Sequence, residues 1–294
     1  MKEVIDRKIL FFIGKGGVGK STVSSLTAVE ISKNKNVLLV SLDPAHNLSD
    51  IFQTKLSDKP KNILPNLFVI EVNISHQIKK YLSDVENDLV KSNTYLSAFN
   101  LLDEFKILKD SPGIEEYGLL VAFQETIKKH SDKDIIIFDM PPTALALKFF
   151  KLPSISLVWI NKLISLRERI KEKKEIVSRV KLGKAEIEKD KVLVRLNSLK
   201  DDYAKTDERF KSKNVEINLV VNTDILSQSE AERIIDKLDE VNIFINKIVV
   251  NKITTEFAFK NEKLIKYESS VLPMHSKALV GVESLQKFLE REKE

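Results

Sequence analysis

The chain has 294 residues, a net charge of +5 and no cysteine. Without cysteine there are no disulfides, thiolate nucleophiles, iron–sulfur clusters or cysteine-held zinc sites. A content of 43% hydrophobic and 31% charged residues excludes a disordered chain and fits a globular one. The length suits one large domain or two small ones.

At the N-terminus, residues 9–13 form an apolar run too short for a signal-peptide core, and a glycine-rich turn follows it. No stretch approaches the roughly 20 apolar residues of a bilayer span. The expectation is a cytoplasmic, soluble protein.

In chain order, 8–13 reads as a buried strand and 21–33 as a helix; 37–40 and 67–72 are further strands. Residues 134–138, 215–221 and 247–250 are three more short β-branched runs, with helices such as 230–238 and 282–291 between strands. Strands alternating with helices predict an α/β fold, a mostly parallel sheet flanked by helices.

Two long, strand-poor segments interrupt this rhythm, 75–130 and 151–213. In the first, Ile78, Tyr81, Leu82, Val85 and Leu89 share one helical face, and Leu96, Phe99, Leu102 and Phe105 follow. The second carries Leu157, Val158 and Trp159. The expected organisation is a single domain over 1–294, with a nucleotide core at 1–74, 131–150 and 214–294 and a helical subdomain from the two insertions. Residues 151–215 hold 18 Lys and Arg against 10 Asp and Glu, so the excess positive charge lies there. A solvated helical face and a surface for an anionic partner both account for it. Nucleic acid is disfavoured, because no binding motif appears and aromatics do not interleave with the basic residues.

Gly14-Lys15-Gly16-Gly17-Val18-Gly19-Lys20-Ser21 fits the pattern G-x-x-x-x-G-K-[ST] between a strand and a helix. Its glycines let backbone N–H groups converge on phosphate oxygens, backed by a helix N-terminus. Lys20 would meet the β- and γ-phosphates, and the Ser21 hydroxyl would ligate Mg²⁺. The loop therefore predicts a nucleoside triphosphate, ATP, with Mg²⁺. The additional Lys15 marks the deviant class of dimeric ATPases, in which that lysine reaches the partner's phosphates and neutralises charge in trans.

With the downstream run Ser41-Leu42-Asp43-Pro44-Ala45-His46-Asn47-Leu48-Ser49-Asp50, the chain resembles the ArsA-type family of arsenite-pump and tail-anchored-protein-targeting ATPases. The resemblance implies that Asp43 polarises the attacking water and that Asn47 senses the γ-phosphate. In Ile135-Ile136-Ile137-Phe138-Asp139-Met140-Pro141-Pro142-Thr143, Asp139 would hold Mg²⁺ through water. The family's following Gly-His-Thr is here Ala144-Leu145-Ala146, so no role of that histidine carries over. Val249-Val250-Asn251-Lys252 matches the strand whose Asn reads adenine. Nucleotide contacts are also implied for Thr22, Pro142 and Asp224.

The resemblance implies a homodimer, a hydrophobic helical client such as a tail-anchored membrane protein, and transient membrane or receptor contact. Many relatives clamp a zinc ion with a Cys-x-x-Cys pair, but residues 253–271 hold no cysteine, so no zinc is expected. Thiol-bound arsenite is excluded for the same reason. The insertions hold no Met, the residue in which such client grooves tend to be rich. A Min- or Par-like ATPase acting at a membrane surface or on DNA is the alternative. A metabolic enzyme such as an amidoligase is a third, weakened by the apolar character of the insertions.

Overall fold

A computed structural model describes residues 8–45, 47–92, 113–182, 190–254, 259 and 261–291, with backbone only at 84–92 and 174–182. His46 and the expected groove residues Leu96, Phe99, Leu102 and Phe105 lie outside the described residues, as do the side chains of Val85 and Leu89.

The strands are β1 (Lys8–Ile13), β2 (Val37–Ser41), β3 (Lys61–Leu64), β4 (Leu67–Glu71), β5 (Ile135–Asp139), β6 (Val215–Asn222), β7 (Lys247–Ile253) and β8 (Glu268–Pro273). The helices are α1 (Lys20–Ile31), α2 (Asn47–Ile51), α3 (Ile74–Ser92), α4 (Ile114–Lys129), α5 (Thr143–Leu182), α6 (Lys191–Phe210), α7 (Ile225–Asp239), α8 (Glu262–Ile265) and α9 (Val282–Arg291). One eight-stranded sheet runs in the order β3-β4-β2-β5-β1-β6-β7-β8. Every neighbouring pair is parallel except β3–β4, which is antiparallel.

The central strands are buried on both faces, which is why KILFFI, VLLVS and IIIFD are almost continuously apolar. Alternation along β1 sends Leu10 and Phe12 to one face, where they pack with Val23, Leu26 and Val29 of α1 and Leu285 and Phe288 of α9. On the opposite face Phe11 stacks on Phe138 at 5.2 Å between ring centroids, and Phe123 of α4 lies 5.2 Å from Phe138. Burying three such rings contributes about 1.5–3 kcal/mol each in transfer free energy.

Two strands escaped the sequence reading. β3 is a four-residue antiparallel edge strand with exposed Lys61 and Asn62, and β8 is an edge strand of sequence ESSVLP. Edge strands bury little, so neither carries an apolar run that periodicity detects.

The chain divides into two compact units, residues 1–149 with 213–294, and residues 150–212. Helices α3 and α4 fall in the first unit. There Ile78 is buried and Tyr81 lies 4.6 Å from Tyr117. In the second unit, Phe150 meets Phe210 edge-on at 5.1 Å, and the Ser154 hydroxyl donates to Asp207. Arg167 Nε donates to Asp190 at 2.8 Å, and Asp190 also caps α6 by accepting from Val192 and Leu193.

The apolar length of α5 departs from the sequence expectation. The segment Thr143–Lys173 is long and apolar enough by composition to cross a bilayer, with 28% of its most apolar window buried. The sequence reading counted uninterrupted apolar runs, and Lys148, Lys151 and Lys162 break this one. Its exposed face holds Ile155, Val158, Trp159, Leu163, Leu166 and Ile170, with Trp159 64% exposed. These positions recur at helical spacing, so they form one stripe of about 23 Å at 1.5 Å per residue.

Candidate functional site

Ligands of parallel α/β sheets bind beyond the carboxyl ends of the strands, and the candidate residues collect there. β1 runs directly into the loop 14–19, β2 ends before Asp43, β5 ends at Asp139 and β7 carries Asn251. Phe12 stands beside Asp139, and Ser41 beside both Asp139 and Glu71, so these strand ends are level. Met140 N–H donates to the Phe12 carbonyl and Leu42 N–H to that of Asp139, which fixes the exits of β5 and β2.

The loop needs its glycines at two positions in particular. Gly14 has φ +148, and a Cβ there would lie 2.3 Å from the Val220 carbonyl oxygen. Gly19 has φ +94, and a Cβ would lie 2.4 Å from Asn251 Nδ2. Either substitution meets a conformation that L side chains avoid and an atom already in place. Helix α1 starts immediately after, with Gly19 at its N-cap position, no side-chain cap and no acid in its first turn. Its first N–H groups have no intrahelical partner and no side-chain cap among the described residues, which leaves them for an anion.

Lys20 is only 6% exposed. Burial lowers its pKa, while the carboxylates of Asp139 and Asp43 pull it back up. Asp139 is fully buried, and neither carboxylate oxygen has a hydrogen-bond partner of ordinary geometry. Burial pushes its pKa up to about 7, against the pull of the Ser21 hydroxyl and the Lys20 ammonium. An orphaned carboxylate costs free energy unless something compensates it. Two unpartnered anionic oxygens beside the Ser21 hydroxyl fit a hydrated divalent cation. Ser21 and Asp139 are thus the residues that would hold Mg²⁺. An ion held there would supply positive charge against the negative charge that develops during phosphoryl transfer.

Asp43 is buried, and its Oδ1 accepts the Ala45 N–H at 3.0 Å. That local turn orients its carboxylate where Pro44 and Ala45 are exposed. Asn47 opens α2 and is half-buried. Glu71, which the sequence reading passed over, holds this helix. It accepts from Ser49 N–H at 2.7 Å and from the Ser49 hydroxyl at 2.5 Å. A Glu at the end of a strand of apolar residues was the available signal.

Lys15 is exposed and has no ion-pair partner among the described residues. Gly16 and Gly17 are exposed, Val18 is buried, and Thr22 lies half-buried in the first turn of α1. Pro142 is exposed and its carbonyl starts α5 by accepting from Leu145 and Ala146. Asp224 is exposed and caps α7 through Ser227 N–H at 2.8 Å. Asn251 Nδ2 donates to the Val18 carbonyl at 2.8 Å, so one of its two amide N–H groups is committed to the loop itself. Lys252, not singled out by the sequence reading, donates from Nζ to the Gly17 carbonyl at 2.8 Å.

The family model described as anion-transporting ATPase matches residues 7–285. A protein of Aquifex aeolicus named as an arsenical pump-driving ATPase is 28% identical, covering 96% of this chain and 97% of its own. An ATPase ASNA1 homolog of Entamoeba dispar is 31% identical over 84% of this chain and 76% of its own. ATPase GET3A of Arabidopsis thaliana is 28% identical over 98% of this chain and 85% of its own. With the family model matched across nearly all of its length and a glycine cradle, Lys20, Ser21 and Asp139 gathered at the strand ends, this chain is an ATP-hydrolysing member of the anion-transporting, ArsA-type ATPase family.

Proposed function

We propose that this ATPase works as a homodimer and couples its nucleotide state to the binding of a hydrophobic helical segment, that of a tail-anchored membrane protein. The observation that carries the reading is the exposed apolar stripe on α5, Ile155, Val158, Trp159, Leu163, Leu166 and Ile170, accompanied by exposed Val192 and Val194 on α6. A soluble surface does not ordinarily keep a tryptophan and five large aliphatic side chains in one exposed row. The stripe lies in the second insertion, within the unit of residues 150–212, to which we assign client handling. The printed names of the relatives, ASNA1 and GET3A, support the same branch of the family.

In the nucleotide site, Gly14 to Gly19, Thr22, Asn47 and Pro142 surround the phosphates, and Lys20 neutralises the β- and γ-oxygens. Asp43 positions the attacking water; phosphoryl transfer needs placement of the nucleophile more than a strong base. Asn251 and Asp224 face the base side, Asn251 through the amide oxygen that its bond to Val18 leaves free. Lys15 acts on the partner's phosphates. No zinc enters this scheme, because residues 253–271 provide no thiolate.

The test is co-expression with a single-span membrane protein whose span lies at its C-terminus. Wild type should co-purify with it, and Trp159→Asp with Leu163→Asp should lose it while retaining the melting temperature of the wild type. Equal capture by wild type and variant would remove the stripe from client binding. The excess of Lys and Arg in 151–215 supports a second reading, docking on anionic lipid. Salt-sensitive sedimentation with anionic vesicles, without any client, would favour it.

A further inference from the structure

The end of β7 departs from regular strand geometry just where it meets the phosphate loop. Its register with β8 shifts between Val250 and Ile253, and Lys252 has φ +59. A left-handed lysine is uncommon and strained, and bulges beside functional sites re-aim a side chain. Here the strain turns the Lys252 stem back across the loop, with Cε 4.0 Å from where a Cβ of Gly19 would sit. Its ammonium reaches the Gly17 carbonyl at 2.8 Å, while its neighbour Asn251 reaches the Val18 carbonyl at 2.8 Å. No carboxylate pairs with Lys252 among the described residues, so the loop carbonyl is its partner.

The consequence follows from the planar trans peptide. In each peptide unit the C=O and the following N–H point in opposite directions. A cation that holds the Gly17 C=O toward β7 therefore turns the Val18 N–H to the other side of the loop. Asn251 does the same for the Gly19 N–H by holding the Val18 C=O. These two N–H groups lie in the heart of G-x-x-x-x-G-K, the part of the loop whose donors must converge on phosphate oxygens.

We propose that Lys252 is a positioning residue of the phosphate cradle, a third lysine beside Lys15 and Lys20, which pre-aims the Val18 N–H before nucleotide arrives. It touches no phosphate; it acts through the direction of one peptide plane. The proposal rests on the reading of residues 14–21 as a triphosphate cradle. Its gain is preorganisation, since a loop held in its binding form does not lose that freedom on binding.

The test uses Lys252→Met, which keeps the stem and removes the donor, and Lys252→Arg, which restores a donor. Lys252→Gln, with a shorter donor, serves if the methionine variant does not fold. Amide exchange over residues 14–20 is measured in the nucleotide-free protein, and ATP titrations and steady-state turnover give Kd, KM and kcat. Lys252→Met should exchange faster in that segment and bind ATP about tenfold more weakly, the loss of one charge-assisted hydrogen bond. The effect should fall on KM more than on kcat, and arginine should recover most of both exchange protection and affinity. Unchanged exchange and affinity in Lys252→Met, or an arginine variant no better than methionine, overturns the proposal. If instead wild type itself fails to bind ATP, the cradle reading fails, while the exchange difference still reports the positioning.

Discussion

Asp139→Asn isolates the cost of the cation-site carboxylate in the nucleotide-free protein. Asp139 is fully buried, with both oxygens unpartnered, and burial raises its pKa from 3.8 to about 7. Because the folded pKa is above the unfolded one, the folded state binds the proton more tightly. Stability must then fall as pH rises from about 4 to about 7 and level off above that. The rise from 3.8 to about 7 sets an upper bound of about 4 kcal/mol, and relaxation of the site should leave roughly 1–3 kcal/mol. The assay is urea unfolding in EDTA at pH 5, 6, 7 and 8, comparing the slopes of wild type and variant rather than their absolute stabilities. The asparagine amide is also buried and underbonded, so an offset between the curves carries no information. Lys20 loses a counter-charge in the variant, but its lowered pKa acts from the alkaline side, which is why the window stops at pH 8. Mg²⁺ with nucleotide should flatten the wild-type profile. Parallel curves for wild type and Asp139→Asn would refute the assignment of an uncompensated anion at the end of β5.

Asp43→Asn should lower kcat by at least about a hundredfold and leave ATP affinity nearly intact, since an asparagine oxygen still accepts the Ala45 N–H; single-turnover kinetics and equilibrium titration separate the two. Lost ATP binding would place Asp43 in nucleotide contact instead. Gly19→Ala introduces a side chain at φ +94 against Asn251 Nδ2, and should cost about 1–3 kcal/mol in stability together with most of the ATP affinity. Thermal melts and titrations read both, and a variant that binds ATP normally would contradict the packing of Asn251 on the loop. On the proposed role of Lys15 at a partner's phosphates, light scattering with Mg²⁺ and a non-hydrolysable ATP analogue should report a dimer; a strict monomer removes that role.

The strands of the sheet centre were legible because burial on both faces forces continuous β-branched and aromatic runs, as in IIIFD of β5. Edge strands obey no such demand, so ESSVLP and KNIL gave no signal. Helix ends shifted for a related reason. Periodicity marks where a helix packs, whereas the start of α1 at Lys20 is set by Gly19 and by the anion-binding turn before it. An apolar face was readable in α3, but not that α3 and α4 share a compact unit with the sheet, because helical spacing names a buried face without naming what covers it.

In the candidate site, the residues with a fixed chemical vocabulary were readable from sequence: glycines that need left-handed backbone, a lysine before a helix, an aspartate ending an apolar strand. Those that act through geometry were not. Glu71 matters because the level strand ends bring it within 2.7 Å of the Ser49 N–H, 22 residues away. Lys252 reaches Gly17 across 235 positions, and only a register shift and one left-handed residue aim it there. Asn251 shows the difference within one side chain. Its type suggested base recognition, while one of the two N–H groups on its Nδ2 donates to the Val18 carbonyl. A side-chain amide has two N–H donors and an accepting oxygen; with one N–H held by the loop, the second N–H and the oxygen are left for a nucleobase. The base recognition proposed for Asn251 is therefore tied to the shape of the phosphate loop: a substitution that removes the amide disturbs the cradle whether or not the base is read there.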